Sequence, residues 1–242
     1  MKLRWKILII LGILFVLMAV SLTVTLRIQP DREVADYKKF LHDRGEKLEL
    51  SEALPPPAAA DDNSVVPVRE AFSLLDSRPL YIPYAMKMVE PGRAMVAWSQ
   101  PDARGYDFTN SWDDFAAYIA TQTPAVDLLH QVRERPKLDF QLDYSKGYSI
   151  LLPQLSSLKI SAQLLYAATL NDLHQGATGA ALTNILTELA LVHNDVRDDY
   201  LICHLVRLAN SAMAVAPTWE MLQATNVTET QLAALQNSWS QL

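Results

Sequence analysis

LLPQLSSLKISAQLLYAATLNDLHQGATGAALTNILTELALVHNDVRDDYLICHLVRLANSAM, residues 151–213, decides the fold. Apolar residues recur through it at steps of three and four, the spacing that lines one face of an α-helix. Two breaks divide it. Gly176 lacks a Cβ and suits the left-handed conformation that closes a helix. The polar run from His193 to Asp199 favours a connection over a helix interior. The stretch therefore predicts three helices, over 154–174, 178–195 and 199–216. The second carries Leu182, Ile185, Leu186, Leu189 and Val192 on one face. The third carries Leu201, Leu205, Leu208, Ala212 and Met213. Short connections between long helices make neighbours antiparallel, so Leu186, Leu189, Leu205 and Leu208 are expected in the core. The array is loosely tetratricopeptide-like, without that motif's repeat pattern.

Towards the C-terminus, Pro217 is expected to end the third helix and to open a turn holding Trp219. Thr228 followed three residues later by Gln231 is a capping-box pattern. It introduces a last helix, LAALQNSWSQL, whose apolar face of Leu232, Leu235, Trp239 and Leu242 reaches the final residue. That face reads either as part of a longer chain or as an end that packs on a partner.

Towards the N-terminus, KLDFQLDYSKGYSILL (137–152) alternates. Leu138, Phe140, Leu142 and Tyr144 take one side, and Lys137, Asp139, Gln141 and Asp143 the other. This predicts a strand with one buried face. Ser145-Lys146-Gly147 supplies a turn and Tyr148 to Leu152 a return strand, giving a small β element. Further upstream, Ser111 with Asp114 caps a helix, and Thr123-Pro124 starts a separate one that runs to about Arg133. Prolines and glycines at Pro79, Pro83, Pro91, Gly92, Pro101 and Gly105 make 78–108 a loop with short strand pieces. Pro67 suits the first turn of a short helix to about 77. Pro55, Pro56 and Pro57 make 51–66 an extended linker. Ahead of it, 31–50 predicts a helix with Val34, Tyr37, Phe40 and Leu41 on one face, weakened at Gly45.

From Ile7 to Leu26 the chain reads ILIILGILFVLMAVSLTVTL. About 20 uncharged residues span a hydrocarbon core of about 30 Å as a helix. Lys2, Arg4 and Lys6 precede the run, Arg27 closes it, and Trp5 stands at the expected interfacial level. A cleaved signal would have a shorter apolar core and a small-x-small site. The run is longer than such a core and predicts an anchor that holds the chain in the bilayer; Ala19-Val20-Ser21 is a small-x-small triplet, which keeps a cleaved signal as the alternative. The short tail places the N-terminus in the cytoplasm and the domain outside. The expected fold is mainly α: a cytoplasmic tail and transmembrane helix (1–28), a juxtamembrane helix and linker (29–66), and a mostly helical soluble domain (67–242) with helical hairpins from 153.

Residues 138–225 resemble uncharacterised bacterial single-pass proteins with an exported helical domain. The likeness rests on the Leu151-Leu152-Pro153 entry, on Gly176 ending the first long helix, and on Ala181-Leu182 opening the second. It implies a bacterial inner-membrane protein with its C-terminal domain outside the cytoplasm, and it implies no particular activity.

Net charge is −6 and the basic residues are scattered, which speaks against a nucleic-acid face. The single cysteine, Cys203, lies in an apolar run and suits a buried small hydrophobe. The sequence contains no phosphate loop, no His-Glu-x-x-His, no Gly-x-Ser-x-Gly and no Cys-x-x-Cys, and no cofactor is expected. His193, Asp195, Asp199 and His204 form the densest polar cluster. They are weak candidates for a metal, set against a reading in which Asn and Asp cap and solvate a helix connection. Trp98, Arg104, Tyr106 and Trp112 are candidates for a ligand groove, set against core packing under a long loop. The expected function is a membrane-tethered helical scaffold that binds a protein partner. The alternative is an envelope hydrolase built from 93–115 and 193–204.

Overall fold

The computed structural model describes residues 2–23, 29–49, 52, 54, 56–75, 102–104, 109–195 and 200–242. They fall into two units, Met1–Pro55 and Pro56–Leu242, and are mainly helical.

The first unit holds α1, Lys2–Thr23, and α2, Gln29–Asp43. In α1 the side chains from Leu11 to Leu22 are exposed on every side. Residues 24–28, the end of the expected anchor, lie outside the described residues. In α2 the rings of Tyr37 and Phe40 stack at 6.2 Å on the expected apolar face. Gly45 ends the segment in the left-handed region, φ +85°, where its N–H reaches His42 O at 2.9 Å and Glu46 N–H reaches Leu41 O at 3.1 Å. These bonds satisfy carbonyls that the last helical turn leaves open.

The second unit is built from α3 (Val65–Leu74), α4 (Trp112–His130), α5 (Pro153–His174), α6 (Thr178–His193), α7 (Leu201–Leu222) and α8 (Glu229–Trp239). α5 packs against α4, α6 and α7; α6 packs against α7 and α8; α3 packs against α4. From Ser161 onward α5 is buried on nearly all sides. Its small residues Ser161, Ala162, Ala167, Ala168 and Thr169 let three helices approach it. One core cluster joins α3, α4, α5 from Leu158 to Leu170, and Leu191 of α6 to Leu138 and Phe140. A second joins Leu173, Ile185, Leu189, Ala214, Met221 and Leu235.

Several local signals fold as read. Gly176 sits at φ +75° after α5, and α6 starts two residues later. Thr228 and Gln231 form both bonds of the capping box at the start of α8, at 3.3 and 2.9 Å.

Three expectations are corrected. First, α4 is one helix, not two: it runs through Pro124. Pro124 is exposed, and Trp112, Phe115, Ile119, Val126 and Leu129 stay buried in register across it. Burying side chains of this size gives about 1.5–3 kcal/mol each, which outweighs the roughly 3 kcal/mol that an interior proline costs. Second, α7 likewise passes Pro217 and reaches Leu222, with Pro217 buried and Trp219 inside the helix.

Third, the segment 138–144 is not a strand, and the expected hairpin does not form. Leu138, Phe140 and Tyr144 are buried as the alternation requires, but so is Asp139. Its carboxylate accepts from Ala58 N at 3.0 Å and from Gln141 N at 2.8 Å. Gln141 then turns to φ +55°, out of extended geometry. Residues Tyr144–Ser149 make 3-10 turns, and Tyr144 stacks on Tyr200 at 5.5 Å. A short antiparallel pairing of Asp102–Arg104 with Thr109–Ser111 stands elsewhere, just ahead of α4.

Candidate functional site: the outer face of α7

α7 is apolar on two opposite sides. Its inner side, Cys203, Ala214, Pro217 and Met221 with Asn210, is buried against α5 and α6. Its outer side carries Leu201, Leu205, Leu208, Ala212, Val215, Trp219 and Leu222. The steps are four, three, four, three, four and three residues, the a/d repeat of a coiled-coil seam. All seven are exposed, the six large ones between 51 and 74%. The expectation that Leu205 and Leu208 lie in the core is thus corrected, while Leu189 is buried and Leu186 half-buried. Helices apolar all round are normally covered all round; among the described residues nothing covers this outer side.

By length and composition α7 is also long and apolar enough to cross a membrane, whereas the described side chains of α1 give the shorter run Leu11–Leu22. α7 carries Arg207, Asn210 and Glu220, however, and one side of it is committed to the core.

A groove of about 570 Å³ opens between α6, α8 and the turn at 131–136. Arg133, Arg135, His193, Asn194, Asn237 and Gln241 are among its walls. Two of its polar side chains, Arg135 and Asn194, bond to backbone carbonyls. The Arg135 guanidinium donates to Asn63 O at 3.2 Å. The Asn194 amide donates to Val132 O and Arg135 O at 3.0 and 2.8 Å, and Leu138 N–H donates to Asn194 O at 2.8 Å. Asn194 thereby ties the end of α6 to the chain entering 138–140, a structural use of the polar cluster.

Among the described residues no group of three His, Cys, Asp or Glu side chains is arranged to hold a metal ion. His193 and His204 are exposed, Asp195 is buried, and Asp199 lies outside the described residues. Of the expected ligand groove, Trp98 and Tyr106 lie outside the described residues, and Arg104 is described only as a strand residue. Trp112 is buried, stacked on the His174 ring at 4.0 Å and edge-on to Phe115 at 5.8 Å. That is the core-packing role.

Polar groups missed in the sequence lie between the helices. His130 Nε2 is 2.8 Å from Asn184 Oδ1, and Asn184 Nδ2 donates to Asp172 Oδ2 at 2.7 Å, linking α4, α6 and α5. Burial holds the Asp172 carboxyl above its ordinary range, against the opposing pull of Asn184 and His130. Glu188 is fully buried, with neither carboxylate oxygen hydrogen-bonded among the described residues. Burial pushes its pKa well above that of a solvated glutamate. The Tyr166 phenol is raised by burial, then by the nearby carboxylates of Glu220 and Glu188. The sequence signal for Glu188 was its position three residues after Ile185 and one before Leu189, on the buried side of α6.

Comparison of the chain with known proteins finds no matching family, curated protein or solved structure.

Proposed function

We propose that this chain is a membrane-tethered protein-binding module of the bacterial cell envelope, with the outer face of α7 as its docking surface. The observation that carries the reading is the uncovered heptad seam from Leu201 to Leu222. A period of 3.5 residues keeps one stripe aligned with a neighbouring helix over three heptads. A partner helix that follows the same stripe would bury it along its whole length. The tether is the run from Ile7 to Leu26, supported by an α1 whose described side chains are apolar and exposed all round. In water that surface is unfavourable; in hydrocarbon it is the solvated state. The resemblance of 138–225 to exported helical domains supports placing the second unit outside the cytoplasm, with the bacterial inner membrane as its attachment.

Two measurements test the reading. The full chain should stay in the membrane fraction through carbonate extraction; release into the supernatant would refute the tether. A photo-crosslinking residue at position 208, in cells expressing the full chain, should yield a discrete protein adduct that Leu205→Glu removes. Labelling of lipid alone at position 208 would refute the docking surface.

A further inference from the structure

We infer that the helix received by α7 is α7 of a second copy, paired antiparallel across a two-fold axis. The inference rests on the docking reading above and names its partner.

Four features of the seam support self-pairing. Its length is about 33 Å over 22 residues,. Six large apolar side chains along that length are each 51–74% exposed, the kind of surface from which a standard stable interface buries ~800 Å² per partner. An isologous contact sets each patch against itself, so like charges beside the seam would oppose it. The flanking positions are Ile202, Ala209, Ala216 and Gln223 on one side, and His204, Ser211 and Thr218 on the other. No acidic residue, lysine or arginine stands among them, so a second copy meets no repulsion, and a partner with charged flanks finds no complement. With the outer face covered, α7 becomes apolar against protein on both sides, as its composition requires.

Side-chain size sets the direction. One seam row is Leu205, Ala212 and Trp219; the other is Leu201, Leu208, Val215 and Leu222. Parallel pairing places Trp219 against Trp219 and Ala212 against Ala212, a bulge one heptad from a gap. Antiparallel pairing packs each row against the other, setting Trp219 against leucine and Ala212 against leucine or valine. Large then meets small, as dense packing requires.

The experiment uses the full chain in its own membranes with single added cysteines; the native Cys203 is buried and faces the core. Under mild oxidation Ala212→Cys, near the middle of the seam, should form a disulfide-linked dimer. Leu201→Cys should not, because antiparallel helices separate the two copies of residue 201 by roughly 30 Å. Adding Leu208→Glu to Ala212→Cys should cut the cross-linked fraction at least about tenfold, with an unchanged helical circular-dichroism spectrum. Position 208 is 68% exposed, so the substitution leaves the fold of each copy intact. Cross-linking at 201 as strong as at 212 would overturn the antiparallel pairing. A dimer that tolerates Leu208→Glu would overturn the seam. If Ala212→Cys stays monomeric while the photo-crosslinker at 208 captures a different protein, self-pairing fails and the docking reading stands. If neither reagent captures protein, both fail.

Discussion

The Asn63 side-chain amide clamps the backbone of Asp139: its Nδ2 donates to Asp139 O at 2.9 Å, and its Oδ1 accepts from Asp139 N at 2.9 Å. One side chain thus replaces the neighbouring strand that an alternating segment would normally pair with, and the sheet is unnecessary. The same Oδ1 also accepts from Val65 N at 3.1 Å, at the start of α3. Asn63→Ala strands a buried N–H and a buried C=O, each worth about 1–3 kcal/mol when left unpaired. The expected loss is roughly 2–4 kcal/mol, read from the midpoint of denaturant unfolding. Asn63→Asp should cost no less, since it loses the donor and sets a carboxylate beside that of Asp139. A change under about 0.5 kcal/mol for both variants would show that the clamp is dispensable.

Local chemistry was legible in the sequence and long-range chemistry was not. Gly176 and the Thr228–Gln231 box act within four residues of themselves, and the helices end or begin where those residues said; Gly45, read as only weakening a helix over 31–50, follows a helix that already ends at Asp43. Pro124 and Pro217 were read as breaks because their local cost is plain, while the burial that overrides it depends on helices elsewhere in the chain. Asp139 was placed on a solvent face because its partners, Ala58 and Asn63, lie 81 and 76 residues away. The outer face of α7 was not legible for a related reason. α7 is apolar on opposite faces, so periodicity alone does not say which one meets the core. Stopping the helix at 216 also removed Trp219 and Leu222, which complete the heptad pattern.

Phe140 and Gln141 separate burial from pairing. Phe140 is 3% exposed and stacks on Phe72 at 6.1 Å, while Gln141 faces solvent. Phe140→Asp should cost several kcal/mol by burying an unpaired charge and opening a cavity. Gln141→Lys should stay within about 0.5 kcal/mol. Equal losses for the two would contradict the burial pattern of this segment.

Leu189 and Leu208 make the matching contrast between α6 and α7. Leu189 is buried in the cluster with Ile185 and Met221, and Leu189→Ala should cost roughly 2–5 kcal/mol. Leu208→Ala, measured by thermal unfolding at concentrations where the chain is monomeric, should change stability by no more than about 0.5 kcal/mol. A loss at Leu208 as large as that at Leu189 would place the outer face of α7 inside the folded unit.

Glu188 predicts the pH dependence. Its carboxyl is buried without a hydrogen bond among the described residues, and burial raises its pKa in the folded state. In the unfolded chain the same group ionises near the ordinary glutamate value, about 4.3. Above that value the unfolded state releases the proton while the folded state retains it, so the folded state binds more protons and stability falls as pH rises. The contribution is complete below the unfolded pKa and is lost as pH climbs towards and through the raised folded one. Glu188→Gln keeps the shape of the neutral acid and removes the titration. At pH 4 the variant and the parent should therefore melt together. At pH 8 the variant should melt higher, by 2–4 °C for each ~1 kcal/mol gained in a domain of this size. Melting curves across pH 4–8 read the difference. A gap that stays constant over that range, or a variant that melts lower at pH 8, would mean that Glu188 is ionised in the fold and held by a partner.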